Sequence, residues 1–147
     1  MNKIKIKKLN NLAQIPKKAT PGSAGYDLCA AIKEDLQISA GAIAKVPTGL
    51  CLELPNAEFV ALVFARSGLS VKVGVSLANG VGVIDSDYRG EVVVALRNYL
   101  ATDYFVVPGE RIAQMVIVPI VSFMLEEVDE LADTQRGGGG FGSTGTK

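Results

Sequence analysis

The chain has 147 residues, nearly half of them apolar, which is enough for one domain with a single core and too few to expect a second. Fifteen basic residues balance fifteen acidic ones, so no global field favours a nucleic-acid polymer or a membrane surface, and any anion site has to be local. Histidine is absent, which restricts a general base to a carboxylate, lysine, tyrosine or cysteine, an ionised carboxylate being the simplest at neutral pH.

In chain order, residues 3–8 alternate lysine with isoleucine. This predicts an opening strand rather than the basic segment and apolar run of a secretion signal. Further strands are predicted at 26–30, 42–50, 58–64, 71–77, 80–84, 91–97 and 111–119. Turn signals separate them: Pro21-Gly22, Pro47-Thr48-Gly49, Pro55-Asn56, Asn79-Gly80, Asp85-Ser86-Asp87 and Pro108-Gly109. One helical turn is expected at 67–72, following Arg66. Asn79-Gly80 tolerates positive φ at both positions, so residues 77–94 read as a β-hairpin arm around it.

Many short strands with no long helical period predict an all-β barrel or sandwich. Residues 111–118 are apolar except for Arg111 and Gln114. That is the pattern of a strand covered on both faces, and in a single small β domain a second subunit is a natural source of the outer cover. The longest apolar stretch, 115–125, is broken by Pro119 and Ser122 and is too short to span a bilayer, so a cytoplasmic location is expected. Cys29 and Cys51 form no disulfide framework and are expected to pack as small apolar side chains.

The tail, 136–147, sets Arg136, Phe141, Ser143 and Thr144 among glycines. Such a segment is flexible until something orders it, at a cost of about 1–2 kcal/mol per residue. An arginine on an anion contributes about 1.5–3 kcal/mol per bond, and a phenyl ring on a base about 1–3 kcal/mol. The tail therefore reads as a lid that closes on a nucleotide-like anion. Its glycine spacing fits G-x-G-x-x-G, but no strand and helix flank it, and Lys147 is not preceded by glycine as a Walker loop requires.

Five polar or glycine-bearing segments interrupt the strands: 21–28 (Pro-Gly-Ser-Ala-Gly-Tyr-Asp-Leu), 65–69 (Ala-Arg-Ser-Gly-Leu), 79–91 (from Asn79-Gly80 to Arg89-Gly90-Glu91), 109–114 (Gly-Glu-Arg-Ile-Ala-Gln) and the tail from Arg136. In content, order and spacing they closely resemble the five motifs of the trimeric dUTPases, across nearly the whole chain. The resemblance implies a single-domain jelly-roll-like β-barrel over 1–135, with a flexible glycine-rich lid over 136–147. It also implies a homotrimer with sites shared between subunits, and Mg²⁺ on the triphosphate. The reaction implied is hydrolysis of dUTP to dUMP and pyrophosphate, which keeps uracil out of DNA and supplies dUMP for thymidylate synthesis.

Carried over residue by residue, the resemblance implies that Arg66, Ser67 and Gly68 hold phosphate oxygens, with helix N–H groups adding to the site if a helix begins there. Asn79, Val83, Ile84 and Asp85 belong to the uracil and sugar pocket, where a tight hairpin leaves no space for a C5 methyl. Tyr88 packs against the deoxyribose and excludes a 2′-hydroxyl, or else is core packing. Asp85 is the base for the attacking water, whereas Asp87 reads as a turn carboxylate. Asp27 lies near metal-bound waters without ligating the metal directly, since Mg²⁺ keeps several waters and takes phosphate oxygens. Gln114 donates to the triphosphate, or is a structural contact. Arg136, Phe141, Gly142 and Ser143 close the lid. A dCTP deaminase of the same superfamily, a non-catalytic dUTP-binding module and a structural β-sandwich are the alternatives. The deaminase would need a different base-reading loop, and the other two leave the carboxylate and the tail without a task.

Overall fold

The structure, a computed structural model, describes residues 3–140. Eleven strands and one short helix follow in order: β1 (Lys5–Lys8), β2 (Tyr26–Cys29), β3 (Leu36–Ile38), β4 (Ile43–Pro47), β5 (Leu50–Glu53), β6 (Phe59–Phe64), a π-helical turn (Gly68–Val73), β7 (Val75–Leu77), β8 (Gly82–Ile84), β9 (Val93–Asn98), β10 (Tyr104–Val106) and β11 (Arg111–Pro119). All pairings are antiparallel, in sheets ordered β2-β11-β6-β8, β4-β9-β7, β1-β5 and β10-β3. The all-β expectation holds, in a jelly-roll-like arrangement of antiparallel sheets around one core. That core takes Leu28, Val46, Leu50, Leu96, Val106 and Ile112 from six different strands, each at most 1 % exposed.

The sequence-predicted strands 58–64 and 111–119 agree closely with β6 and β11. The predicted strand 42–50 is two strands. Gly49 adopts φ +66°, and its N–H donates to the Glu91 carboxylate at 2.7 Å, so the chain turns between β4 and β5. A Cβ at Gly49 would lie 2.8 Å from the Ala13 Cβ and 3.2 Å from that of Ala31. Gly49→Ala is therefore expected to destabilise the fold by about 2 kcal/mol or more. Urea denaturation checks this, as a lower midpoint at unchanged slope.

The predicted strand 71–77 is strand only from Val75. Its first half belongs to the π-helical turn, which buries Leu69 and ends at Gly74 with φ 79°. Strands β3 and β10 have no counterpart among the predictions. They are held beside the core by Asn98, which is fully buried and whose side-chain amide donates to the carbonyls of Ile38 (2.9 Å) and Thr102 (2.8 Å).

The hairpin read over 77–94 needs correction. Leu77 pairs with Leu96 and not with the returning strand, while β8 leaves for the other sheet and pairs with β6. Asn79-Gly80 is thus a corner between two sheets, closed by Val81 N–H to the Asn79 carbonyl at 2.8 Å with Gly80 at φ +71°. The gap opened between β8 and β9 becomes a pocket.

From Ile120 onward the described chain carries no strand, and Val121, Phe123, Met124, Leu125 and Leu131 are each at least 75 % exposed. No helix among the described residues is long and apolar enough to cross a membrane. Cys29 and Cys51 are free thiols, half-buried rather than enclosed in the core.

Candidate active site

Antiparallel register assembles the first cluster. Gln114 on the central strand β11 lies opposite Asp27 on β2 and opposite Phe64 on β6, and Arg66 follows two residues after Phe64. Residues far apart in the chain therefore meet at one end of one sheet. A register irregularity between Arg111 and Ala113 adjusts the ladder here, as bulges beside functional sites commonly do.

The cluster is an electrostatic unit. Asp27 accepts from Arg66 Nε at 2.9 Å with one carboxylate oxygen and from Arg111 Nη1 at 3.1 Å with the other, while Arg66 Nη1 donates to the Arg111 carbonyl at 3.0 Å. One carboxylate against two guanidiniums leaves the group with a surplus positive charge. These bonds also fix the Arg66 plane while leaving other N–H donors of its fork available to an anion. Arg66, Ser67, Gly68, Asp27 and Gln114 line one cavity of about 170 Å³. Ser67 and Gly68 are exposed at the start of the π-helical turn, where the first N–H groups lie beyond the reach of the helix's own carbonyls.

Gln114 spends one amide N–H on the Ala65 carbonyl at 3.0 Å and keeps a second. Its structural and ligand-facing readings are thus compatible. Gly25 is needed for this side chain, because a Cβ there would lie 2.6 Å from Gln114 Oε1.

A second cavity, of about 270 Å³, lies where β8 parts from β9. It has an apolar floor that includes Val63, Leu77 and Val94, and Asn79, Val83, Ile84, Asp85 and Tyr88 also line it. Its volume is at the small end of small-molecule sites, which run about 300–1,000 Å³. The turn 85–88 closes with Tyr88 N–H to the Asp85 carbonyl at 3.2 Å, which sets the Asp85 carboxylate and the Tyr88 ring at its two ends. Arg89 Nη1 clamps that turn by donating to the carbonyls of Ser86 at 2.8 Å and Tyr88 at 3.1 Å. Asp85 is exposed and has no ion-pair partner among the described residues. It is an accessible anion beside the cavity, whereas Asp87 sits exposed in the turn and does not line that cavity.

Burial, with the Asp27 charge adding to it, pushes the Cys29 thiol above its ordinary value. Cys29 therefore stays protonated at neutral pH, which removes the thiol nearest the cationic cluster from the candidate bases.

The two cavities share no lining residue. The structure thus brings the sequence-predicted residues together in two groups: Asp27, Arg66, Ser67, Gly68 and Gln114 in one, and Asn79, Val83, Ile84, Asp85 and Tyr88 in the other. Arg136 joins neither. Its Nε donates to the Gly139 carbonyl at 2.9 Å within a turn of its own. Phe141, Gly142 and Ser143 lie outside the described residues. Residues that sequence reading left without a role are Arg111, Gly25 and Glu91. All three stand within the polar segments of the sequence, and Arg111 also as a charge at the head of an otherwise apolar strand.

Divalent metal finds little direct protein coordination here. Among the described residues no group of three or more Asp, Glu, Cys or His side chains is placed to hold an ion. Both Asp27 oxygens already accept from arginine. Their remaining lone pairs suit hydrogen bonds from metal-bound water, which fits a cation carried on phosphate oxygens.

The all-β fold, with one small apolar-floored cavity and a separate arginine-lined one, defines a protein of the jelly-roll-like class. The dUTPase family model matches residues 11–145, and the chain belongs to that family. It is 52 % identical over 149 aligned residues to the deoxyuridine 5′-triphosphate nucleotidohydrolase of Desulfitobacterium hafniense (strain DSM 10664 / DCB-2), covering 99 % of each chain. Its fold is similar to that of the Staphylococcus bacteriophage 80alpha dUTPase solved with dUpNHpp, with a TM-score of 0.90 and 28 % identity, covering 99 % of this chain and all of that one. A dUTPase mutant from phage phi11 of S. aureus, solved for the coordination of a structural Mg(II) ion, has a TM-score of 0.81 at 24 % identity, over 90 % of this chain and all of that one.

Proposed function

We propose that the chain hydrolyses dUTP to dUMP and pyrophosphate, and so acts as a dUTP diphosphatase that limits uracil in DNA and supplies dUMP. The observation that carries this reading is the presence of two cavities with different linings in a member of the dUTPase family. One is small, with an apolar floor and an unpaired carboxylate at its rim. The other is centred on Arg66 and Gln114.

In this reading the uracil and deoxyribose occupy the β8–β9 cavity, with Asn79 and the backbone of Val83 and Ile84 reading the base edge and Tyr88 packing on the sugar. Asp85 takes a proton from water, whose oxygen attacks the α-phosphorus. The bond from that phosphorus to the α,β-bridging oxygen breaks, and its electron pair leaves with pyrophosphate. Placement and charge neutralisation supply most of the acceleration in such a displacement. Arg66, Ser67, Gly68 and Gln114 hold phosphate oxygens, and Asp27 keeps Arg66 in position and would accept hydrogen bonds from waters of a Mg²⁺ carried on the triphosphate. When bound to the triphosphate, Mg²⁺ supplies neutralising charge. Arg136, Phe141, Gly142 and Ser143, in the segment 136–147, close over the ligand as a lid.

The active unit is a homotrimer with shared sites. Two features support this: cavities without a common residue on one chain, and the exposed apolar arm with Phe123, Met124 and Leu125, which in water calls for a partner surface.

Incubation of the pure protein and Mg²⁺ with dUTP, dTTP, dCTP and UTP separately, followed by ion-exchange analysis, tests the reaction. The expected result is dUMP and pyrophosphate from dUTP alone, and on size-exclusion chromatography the enzyme is expected to elute at three times the chain mass. Deaminated product from dCTP would move it to the sister enzyme, and dUTP binding without turnover to a sensor.

A further inference from the structure

Gly90 ends the turn that carries the Tyr88 ring, and its backbone gives no reason for glycine, since it is not among the glycines with positive φ. Space gives one. A Cβ at Gly90 would overlap the Tyr88 hydroxyl, lie 2.5 Å from Cζ and 3.0 Å from Cε2. The aromatic ring therefore rests on the bare Cα of the second residue after it.

The surrounding bonds keep this seat from yielding. Tyr88 O–H donates to the Glu91 carbonyl at 3.0 Å. The Glu91 carboxylate accepts the Gly49 N–H at 2.7 Å, and the Thr48 hydroxyl, fully buried, donates to the Val92 carbonyl at 2.6 Å. The backbone after Gly90 is thus tied to the β4–β5 turn, and a side chain at position 90 would have to displace the ring rather than the strand. Tyr88 and Glu91 line the β8–β9 cavity and Gly90 does not, so a shift of the ring alters a wall of the ligand space while position 90 itself stays outside it.

We propose that Gly90 is a positioning residue that sets where the Tyr88 ring stands and thereby determines the fit of the sugar. This rests on the reading of Tyr88 as the sugar-facing aromatic. Tyr88 is 45 % exposed, so moving its ring leaves the core untouched and the effect falls on the ligand.

The test is a double-mutant cycle with Gly90→Ala, Tyr88→Ala and the pair, measuring KM and kcat for dUTP and for UTP, with thermal unfolding alongside. Gly90→Ala is expected to raise KM for dUTP by about tenfold or more, with an unchanged melting temperature. The same substitution in the Tyr88→Ala background is expected to add nothing, because the ring it displaces is gone. Equal KM in Gly90→Ala and the parent, or a rise of the same size in both backgrounds, would overturn the proposal. A Tyr88→Ala variant that discriminates dUTP from UTP as well as the parent would instead remove the sugar-contact reading. That result is independent of whether the two residues couple.

Discussion

Replacing Asp85 with asparagine is expected to lower kcat for dUTP by about 10²–10⁴-fold, the usual contribution of a positioned general base, while the protein stays folded and still binds a non-hydrolysable dUTP analogue. The size of the effect follows from chemistry: an amide keeps the shape and one acceptor oxygen of the carboxylate but cannot accept the proton of the attacking water. The selectivity follows from the structure. Asp85 is exposed and forms no ion pair among the described residues, so its charge is not used to hold the fold. Its backbone carbonyl, which closes the turn to Tyr88, is unaffected by the substitution. Single-turnover assays and calorimetric titration with the analogue separate the two quantities. Turnover within threefold of the parent would exclude Asp85 as the base, and loss of analogue binding together with turnover would make it a binding residue instead.

Removing residues 136–147 is expected to leave the barrel's melting temperature unchanged and to reduce turnover by about 10²-fold or more, comparable to losing preorganised donors from a transition state. Among the described residues no member of the apolar core lies beyond Ile117, so residues 136–140 add nothing to that core. Arg136 donates only within its own turn among the described residues, so a ligand anion would compete with a single exposed carbonyl for it. Full activity in the truncated chain would end the lid reading. A large fall in melting temperature would show that the segment helps to hold the assembly together.

Legibility in the sequence differed from element to element for physical reasons. Strands β6 and β11 were plain because six to nine residues of β-branched and apolar side chains carry the signal of a buried strand without help. Strands β3 and β10 have three residues each, beside charged or polar stretches, and exist because Asn98 and the core hold them in place. Residues 71–73 have β-branched side chains at two of three positions yet coil into the π-helical turn. The burial of Leu69 and the left-handed turn at Gly74 outweigh their intrinsic preference. Asn79-Gly80 forms a turn, as its residue types require. Which strand the chain met after it depended on β6, which no local pattern encodes.

The sequence by itself determined the all-β class, the place of most strands and the content and order of five polar segments, since each of these depends on residue types within a short window. The absence of histidine leaves carboxylates as the simplest bases at neutral pH, and the glycine-rich tail is distinct by composition alone. Only the tertiary structure decided that Asp27 joins Arg66 to Arg111, a residue 84 positions away in the chain. It also separated the cavity between β8 and β9 from the arginine-lined cavity and set Gly90 against the hydroxyl end of the Tyr88 ring. These features depend on strand register and on which sheet each strand joins. Both are set by burial of the whole core at once, and a window of sequence contains only one side of each contact.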